Sequence, residues 1–389
     1  MSDPRPFLIV AADLVKTGGM DRANYALADF LARQGRPVQL VAHGVGEGLL
    51  VHPNLQWHRV ARPFGHDALG WTLLRRAGAR RARRLAADHG RVLVNGGNCP
   101  WPDLNWVHYV HAAYESNASP PAGGPLRQAW QARKHRRALA DERRALAAAR
   151  LVIANSERTK RDLTERLSLP PARVAVVYYG SDPKQFPPIT AAARAAARAE
   201  LGWPQDRPRA LFLGALGDRR KGFDTAFAAW RQLCARPDWE MDLIVAGRGA
   251  ELQAWRQRVQ QAGLGDRIQL LGFRRDVPRL LAASNLLLAP TRYEAYGLGV
   301  HEALVRGLPA IVSADAGVVE RIPESLHGLL LRQPNHASAA AELADRLLGW
   351  RGQADALAPA QAQLAAGLAA WTWDHMAARI LELAEAARP

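Results

Sequence analysis

Two acids, Glu294 and Glu302, stand eight positions apart in Tyr293-Glu294-Ala295-Tyr296-Gly297-Leu298-Gly299-Val300-His301-Glu302. Were all eight steps helical, they would lie roughly 12 Å apart along the axis. That is too far for the carboxylate pair of a glycoside hydrolase, at about 5–9.5 Å. The Gly-containing turn between them puts Glu294 on a loop after a strand and Glu302 about two turns into a helix. Free N–H groups and the positive end of the helix dipole then face an anion or a polar sugar.

A second cluster, Gly214-Ala215-Leu216-Gly217-Asp218-Arg219-Arg220-Lys221-Gly222, sets three cations between an expected strand and an expected helix. Cations there suit a leaving diphosphate, because they stabilise charge that grows as a glycosidic bond breaks. In a third, Gly18-Gly19-Met20-Asp21-Arg22 opens a helix, where glycine lets the backbone approach an anion closely. There is no G-x-G-x-x-G and no Walker Lys-Ser/Thr, so the markers of a dinucleotide or ATP site are missing. By itself this helix start reads either as a phosphate loop or as a tight turn. His108 and His111 lie in an expected strand, Trp106–His111, on opposite faces at period 2, so they do not share a metal. No Asp-x-Asp occurs, and Cys99 and Cys234 lack metal-ligand spacing. No metal is expected.

The elements that must hold these residues alternate strand and helix throughout, the pattern of doubly wound parallel sheets. Expected strands are 7–11, 38–42, 91–95, 106–111, 151–155 and 174–178 in the first half. In the second they are 210–213, 241–246, 268–271, 286–289 and 310–312. Expected helices are 20–34, 70–88, 125–149 and 157–167, then 222–235, 250–262, 276–283, 298–306 and 336–349, with an apolar-periodic tail at 371–387. The stretch Pro183–Pro188 reads as a linker. Residues 112–125, rich in Ser, Asn, Gly and Pro, follow a strand end and form either an acceptor-side loop or a plain connection.

The chain has 389 residues, 48% of them hydrophobic, enough for two domains with real cores. No apolar run reaches the roughly 20 residues of a membrane span, and residues 7–12 read as a first strand and not a signal peptide. Two unpaired-looking cysteines fit a reducing cytoplasm. The net charge of +16 is uneven: residues 1–187 hold 28 Lys+Arg against 15 Asp+Glu, the remainder 24 against 21. The excess gathers in Arg75, Arg76, Arg80, Arg81, Arg83 and Arg84, and between Arg133 and Arg144. Such helices are either a docking face for an anionic membrane or polyanion, or a solvated basic face. No nucleic-acid motif or aromatic-interleaved basic stripe accompanies them, so no nucleic-acid partner is expected.

The acid pair has a wider context: the apolar strand Leu286-Leu287-Leu288-Ala289-Pro290 before it, and Gly307-Leu308-Pro309-Ala310-Ile311-Val312-Ser313 after it. Together they resemble the E-x7-E signature of the retaining family-4 glycosyltransferases, which have the GT-B fold. Gly18 to Arg22, followed by Leu27-Ala28-x-x-Leu31, resembles that family's first loop, with Asp21 where Glu is usual. Ala154–Lys160 and Val177–Asp182 resemble further landmarks. The resemblance covers most of the chain, from Gly18 to Trp373.

It implies an α/β protein of two Rossmann-like, doubly wound parallel-sheet domains facing across a cleft. Residues 1–187 would bind the acceptor and 188–370 the nucleotide sugar, with 371–389 a helix crossing back to the first domain. By the same resemblance Glu302 holds the ribose, Glu294 the hydroxyls of the transferred sugar, and the N–H groups of Tyr296, Gly297 and Leu298 the sugar and phosphate. Lys221 contacts the diphosphate, opposite the Gly19 N–H. The family's usual Arg after the first Gly is replaced by Ala215, so Arg219 or Arg220 must supply that cation. His111 touches the transferred sugar and Phe273 falls at the nucleotide base. Asp21, His108 and Tyr114 are the acceptor-side candidates.

The implied activity is retaining transfer of a sugar from a nucleoside-diphosphate donor, a UDP- or GDP-sugar, to an acceptor hydroxyl. It needs no cofactor and no metal, and it belongs to bacterial surface polysaccharide, lipopolysaccharide or glycolipid synthesis on a glycan or lipid-linked acceptor. The expected location is the cytoplasm or the inner membrane face. A sugar-nucleotide epimerase or phosphorylase on the same fold is disfavoured by the basic, loop-rich first half.

Overall fold

The computed structural model describes residues 5–63, 67–114 and 125–387. The chain divides into two compact units, residues 1–180 with 372–389, and residues 181–371.

The first unit is built on seven parallel strands: β1 Phe7–Val10, β2 Val38–Ala42, β3 Leu55–Arg59, β4 Arg91–Asn95, β5 Leu104–Val107, β6 Leu151–Ala154 and β7 Val174–Val176. Their spatial order is β3-β2-β1-β4-β5-β6-β7. Helices α1 Gly19–Arg33, α2 Asp67–Ala87, α3 Pro125–Ala148 and α4 Glu157–Leu167 connect them. Parallel strands covered by helices on both faces must be apolar along their length. Phe7, Leu8, Ile9 and Val10 are accordingly all inaccessible to solvent.

The second unit repeats the plan with β8 Arg209–Leu213, β9 Asp242–Ala246, β10 Ile268–Gly272, β11 Leu286–Ala289, β12 Ala310–Ser313 and β13 Leu330–Leu331, in the order β10-β9-β8-β11-β12-β13. Its helices are α5 Ala191–Glu200, α6 Phe223–Cys234, α7 Leu252–Gln261, α8 Val277–Ala283, α9 Leu298–Val305 and α10 Ala339–Ala370. The core gathers Phe212, Phe223, Trp230, Trp239, Leu288 and Leu347. In both sheets the strand order reverses beside the first strand, between β1 and β4 and between β8 and β11. The carboxyl edge at such a reversal is where open α/β sheets bind ligands.

Several elements differ from the sequence reading. The strand expected at 106–111 ends at Val107, so the period-2 argument for His108 and His111 does not apply. The strand β3 and the helix α5 were not expected. Helix α10 runs 32 residues, through Pro359, where the sequence suggested a stop at 349. The first unit ends at Gly180 and not at 187, and the terminal helix α11, Trp373–Ala386, belongs to it. There Arg33 reaches Asp374 at 2.5 Å, Arg36 pairs with Glu385, and Arg91 donates to the Ala387 carbonyl. Most of the irregular 112–125 stretch lies outside the described residues. Among the described residues no helix is long and apolar enough to cross a membrane.

Candidate active site

In the second unit the loops after β8 and β11 are neighbours because the strands are: Ala210 pairs with Leu286 and Phe212 with Leu288. Lys221 ends a short 3-10 turn, Arg219–Lys221, and its stem packs over Gly214, where a Cβ would sit 3.1 Å from the Lys221 Cβ. Its Nζ donates to Glu294 Oε2 at 2.7 Å, with both side chains only partly exposed. The cation cluster and the first acid of the pair, 73 positions apart, thus form one ion pair.

Gly297 is the N-cap of α9 at φ 106, and a Cβ there would lie 3.3 Å from Glu294 Cγ. Only glycine takes this turn without strain. The first N–H groups of a helix have no intrahelical partner, so those of Leu298 and Gly299 point out beside Glu294. Glu302 is the fifth residue of α9, little more than one turn in, and half-buried. Tyr296 is buried, its hydroxyl 2.8 Å from His301 Nδ1, while His301 Nε2 lies 2.8 Å from Ser181 Oγ, which donates to the Leu368 carbonyl. Tyr296 and His301 therefore brace the turn from inside.

The two arginines beside Lys221 differ. Arg220 is gripped by Asp218 through Nε and Nη2 at 2.7–3.2 Å. Arg219 is exposed and lines a cavity of about 100 Å³ with Asp218, Asp224, Trp255 and Arg258. A residue the sequence reading missed, Arg292, clamps this loop. Its guanidinium donates to the Arg219 carbonyl at 2.7 Å and to both Asp224 oxygens, and its N–H donates to the Arg220 carbonyl. Nothing local marks Arg292, since its partners lie 67–73 positions away. Phe273 is exposed, and the Arg248 guanidinium lies 5.1 Å from its ring centroid.

In the first unit, Gly18 caps α1 at φ 82 with no side-chain cap, and Gly19 is the first helical residue. Burial and the nearby negative charge of Asp13 push the Asp21 carboxyl up to about 6, against a smaller opposing effect of Arg62. His111 opens a 3-10 turn, and its Nδ1 lies 3.1 Å from Oε1 of the buried Glu142, which also accepts the N–H of His111 at 2.8 Å and of Ala112 at 3.1 Å. A carboxylate only accepts, so in this contact the Nδ1 N–H of His111 is the donor. Glu142, unmarked in the sequence, orients that ring from α3. Tyr114 follows the same turn, its ring 6.4 Å from that of Tyr109.

His108 is different. It is buried, with Nδ1 2.6 Å from the Tyr179 hydroxyl and Nε2 3.2 Å from Asn95 Nδ2. With both nitrogens engaged inside the core it has nothing to offer an acceptor, so its place is structural. Burial pushes both His108 and His301 down to about 3. A depressed folded value means that the stability of the neutral ring is fully present above about 6.5 and is lost as pH falls toward 3. Asp21, with its raised value, acts in the opposite sense between 3.8 and about 6. Urea midpoints at pH 7 and pH 5 are expected to drop more in the wild type than in His301→Gln. Equal drops would show that His301 is charged in the folded protein.

Two parallel Rossmann-type sheets in one chain, with glycine-led loops and helix starts at the reversal points, define a GT-B fold. Solved structures agree: the glycosyltransferase WaaG, involved in lipopolysaccharide biosynthesis, superposes with a TM-score of 0.75 at 18% identity, covering 98% of this chain and 100% of that one. Anabaena HepE in complex with UDP and glucose superposes with a TM-score of 0.71 at 18% identity over 98% and 99%. Residues 17–185 match the model of Glycosyltransferase Family 4, and residues 193–360 match that of Glycosyl transferases group 1. The chain belongs to this glycosyltransferase family. A D-inositol 3-phosphate glycosyltransferase of Xylanimonas cellulosilytica is 27% identical over 400 residues, which is 94% of this chain and 91% of that protein. The chain spans about half the length of several other curated glycosyltransferases it matches.

Proposed function

We propose that this glycosyltransferase moves a sugar, with retention, from a nucleoside-diphosphate donor bound on the second unit to a hydroxyl of a cell-surface glycan or glycolipid precursor. The observation that carries the reading is the Lys221–Glu294 ion pair beside the open N-terminus of α9. Each member is a stand-in for the ligand of the other. When a donor arrives, its diphosphate takes Lys221 and its sugar hydroxyls take Glu294, while the N–H groups at Tyr296–Leu298 cradle the phosphate and sugar. Glu302 holds the ribose and Phe273 lies at the base. Arg219, which among the described residues has no ion pair like that of Asp218 with Arg220, supplies the second cation, and the Gly19 N–H a further hydrogen-bond donor. The bond from the anomeric carbon to the phosphate oxygen breaks as the acceptor oxygen bonds on the same face. The acceptor's proton passes to the departing phosphate, so no protein nucleophile and no metal is required. His111, oriented by Glu142, hydrogen-bonds the transferred sugar.

The structural likeness to a protein crystallised with UDP and glucose is in keeping with a nucleoside-diphosphate sugar as donor. Calorimetric titration with UDP, GDP and ADP without added metal should show one tight binder in the wild type, lost in Glu302→Ala. Absence of binding by all three would remove the donor assignment.

The first unit supports a membrane-facing role. Of the six clustered arginines on α2, Arg75 and Arg81 are engaged, by Asp141 and by Gln39 and Gln56, while Arg76, Arg80, Arg83 and Arg84 are exposed, as are Leu69 and Leu73. Preference for anionic over neutral vesicles at low salt is expected, and equal partitioning would sink this part of the reading.

A further inference from the structure

Between α2 and α3 of the first unit lies a cavity of about 150 Å³ that no part of the mechanism above uses. Its floor includes Gly97 and Asn98, in the turn directly after β4, at the carboxyl edge of the sheet where the strand order reverses. Gly97 lets α3 approach closely, since a Cβ there would lie 3.1 Å from the Glu142 amide nitrogen. The walls carry two indoles, Trp71 and Trp130, and four cations, Arg75, Arg133, Lys134 and Arg137, against one carboxylate, Asp141.

The arrangement is ordered by chemistry. Asp141 is held at 2.6 Å by Arg75, with Arg137 and Arg144 at 3.7 and 3.4 Å, so its charge is already met on the wall. Arg137 is further fixed by a hydrogen bond to the Thr72 hydroxyl at 3.1 Å. The Lys134 ammonium sits between the indoles, 6.0 Å from the Trp71 centroid and 5.6 Å from that of Trp130. Trp130 is 56% exposed, an unusual state for an indole unless something stacks on it. A cavity of this volume holds about one six-membered ring.

Aromatic faces suit the C–H face of a pyranose, and a neutral sugar has no use for a net charge of three positives. We propose that this pocket binds one anionic sugar unit of the acceptor, with its ring against Trp130 and Trp71 and its phosphate or carboxylate against Lys134, Arg133 and Arg137. The assignment rests on the glycosyltransferase reading for its purpose, but not for its chemistry. It differs from membrane docking, which uses the outward arginines of α2 and a flat lipid surface.

The test is titration of the full chain, by calorimetry and tryptophan fluorescence, with glucose 6-phosphate, glucuronate, glucose and inorganic phosphate, alongside UDP and phosphatidylglycerol vesicles. At least one of the two sugar acids is expected to bind saturably, at least tenfold tighter than either glucose or phosphate, and which one does so tells phosphate from carboxylate. Trp130→Ala and Lys134→Ala should each weaken that binding at least tenfold and leave UDP binding intact. Since Trp130 is exposed, its variant should fold, and Arg133→Glu provides an independent second loss. If phosphate binds as well as the sugar acids and Trp130→Ala changes nothing, the site is an unspecific cation cluster and the proposal falls. It falls equally if no sugar acid binds, including the case where Trp130→Ala abolishes vesicle binding, which would make this a lipid-docking face. Sugar-acid binding without UDP binding would keep the pocket and remove the donor assignment instead.

Discussion

Lys221→Ala is expected to lower the turnover number by about 10²–10³, or about 2.7–4 kcal/mol of transition-state stabilisation, the usual effect of removing one preorganised electrostatic contact. The reason is geometric. Lys221 Nζ is already held at 2.7 Å from Glu294, on a turn that Arg292 clamps and on a stem seated over Gly214. Little reorganisation is then needed when negative charge grows on the leaving diphosphate. The ion pair is partly exposed, so its loss should change the melting temperature little. Lys221→Arg should not restore the rate, because a planar guanidinium on a three-carbon stem does not replace a compact ammonium on a four-carbon one. The readout is release of nucleoside diphosphate from the donor that calorimetry identifies. A turnover number within a few-fold of wild type would move the leaving-group role away from Lys221.

The second large effect is on folding. Gly222 has φ 70 and ends the turn that carries Lys221; a Cβ there would fall 1.9 Å from the Pro290 carbonyl oxygen. Gly307 has nearly the same backbone angle, φ 73, with nothing within 4 Å of the corresponding position. The pair separates two costs that usually come together. Gly307→Ala should lose only the left-handed backbone term, about 1 kcal/mol. Gly222→Ala must also displace Pro290 and with it the Thr291–Arg292 segment that clamps the cation loop. Its loss should reach at least about 3 kcal/mol, in the range of the severe single substitutions. Urea unfolding of both variants checks this. Equal losses would show that the β8 and β11 loops yield easily and are not tightly pressed together.

How much of this was legible differs from residue to residue. The strand at 286–289 and the helix at 157–167 lie where the pattern put them, because both are written locally: an unbroken apolar run in one case, a Ser156 cap accepting from the Thr159 N–H in the other. Helix α5 is equally local, an alanine-rich run behind a Thr190 cap. Helix α10 was not local. Gly352 and Pro359 lie inside it, yet packing on either side of them, at Leu347 and Trp350 and at Leu364 and Leu368, carries it through. His108 shows the same limit at a single side chain. Its partners Asn95, Asn155 and Tyr179 arrive from other strands and loops, and only they decide that it is core.

By itself the sequence determined the alternation of elements, the glycine positions at which loops must turn, and the residue types that could hold a diphosphate and a sugar. Those follow from short-range sterics, periodicity and charge, which act between near neighbours in the chain. Only the tertiary structure decided which of those residues meet. Lys221 reaches Glu294 because β8 and β11 pair across the reversal of the sheet, Arg292 becomes a clamp for the same reason, and Glu142 finds His111 because α3 returns over the end of β5. Strand order is set by burying apolar faces over the whole unit, and that is a sum no single stretch of residues contains.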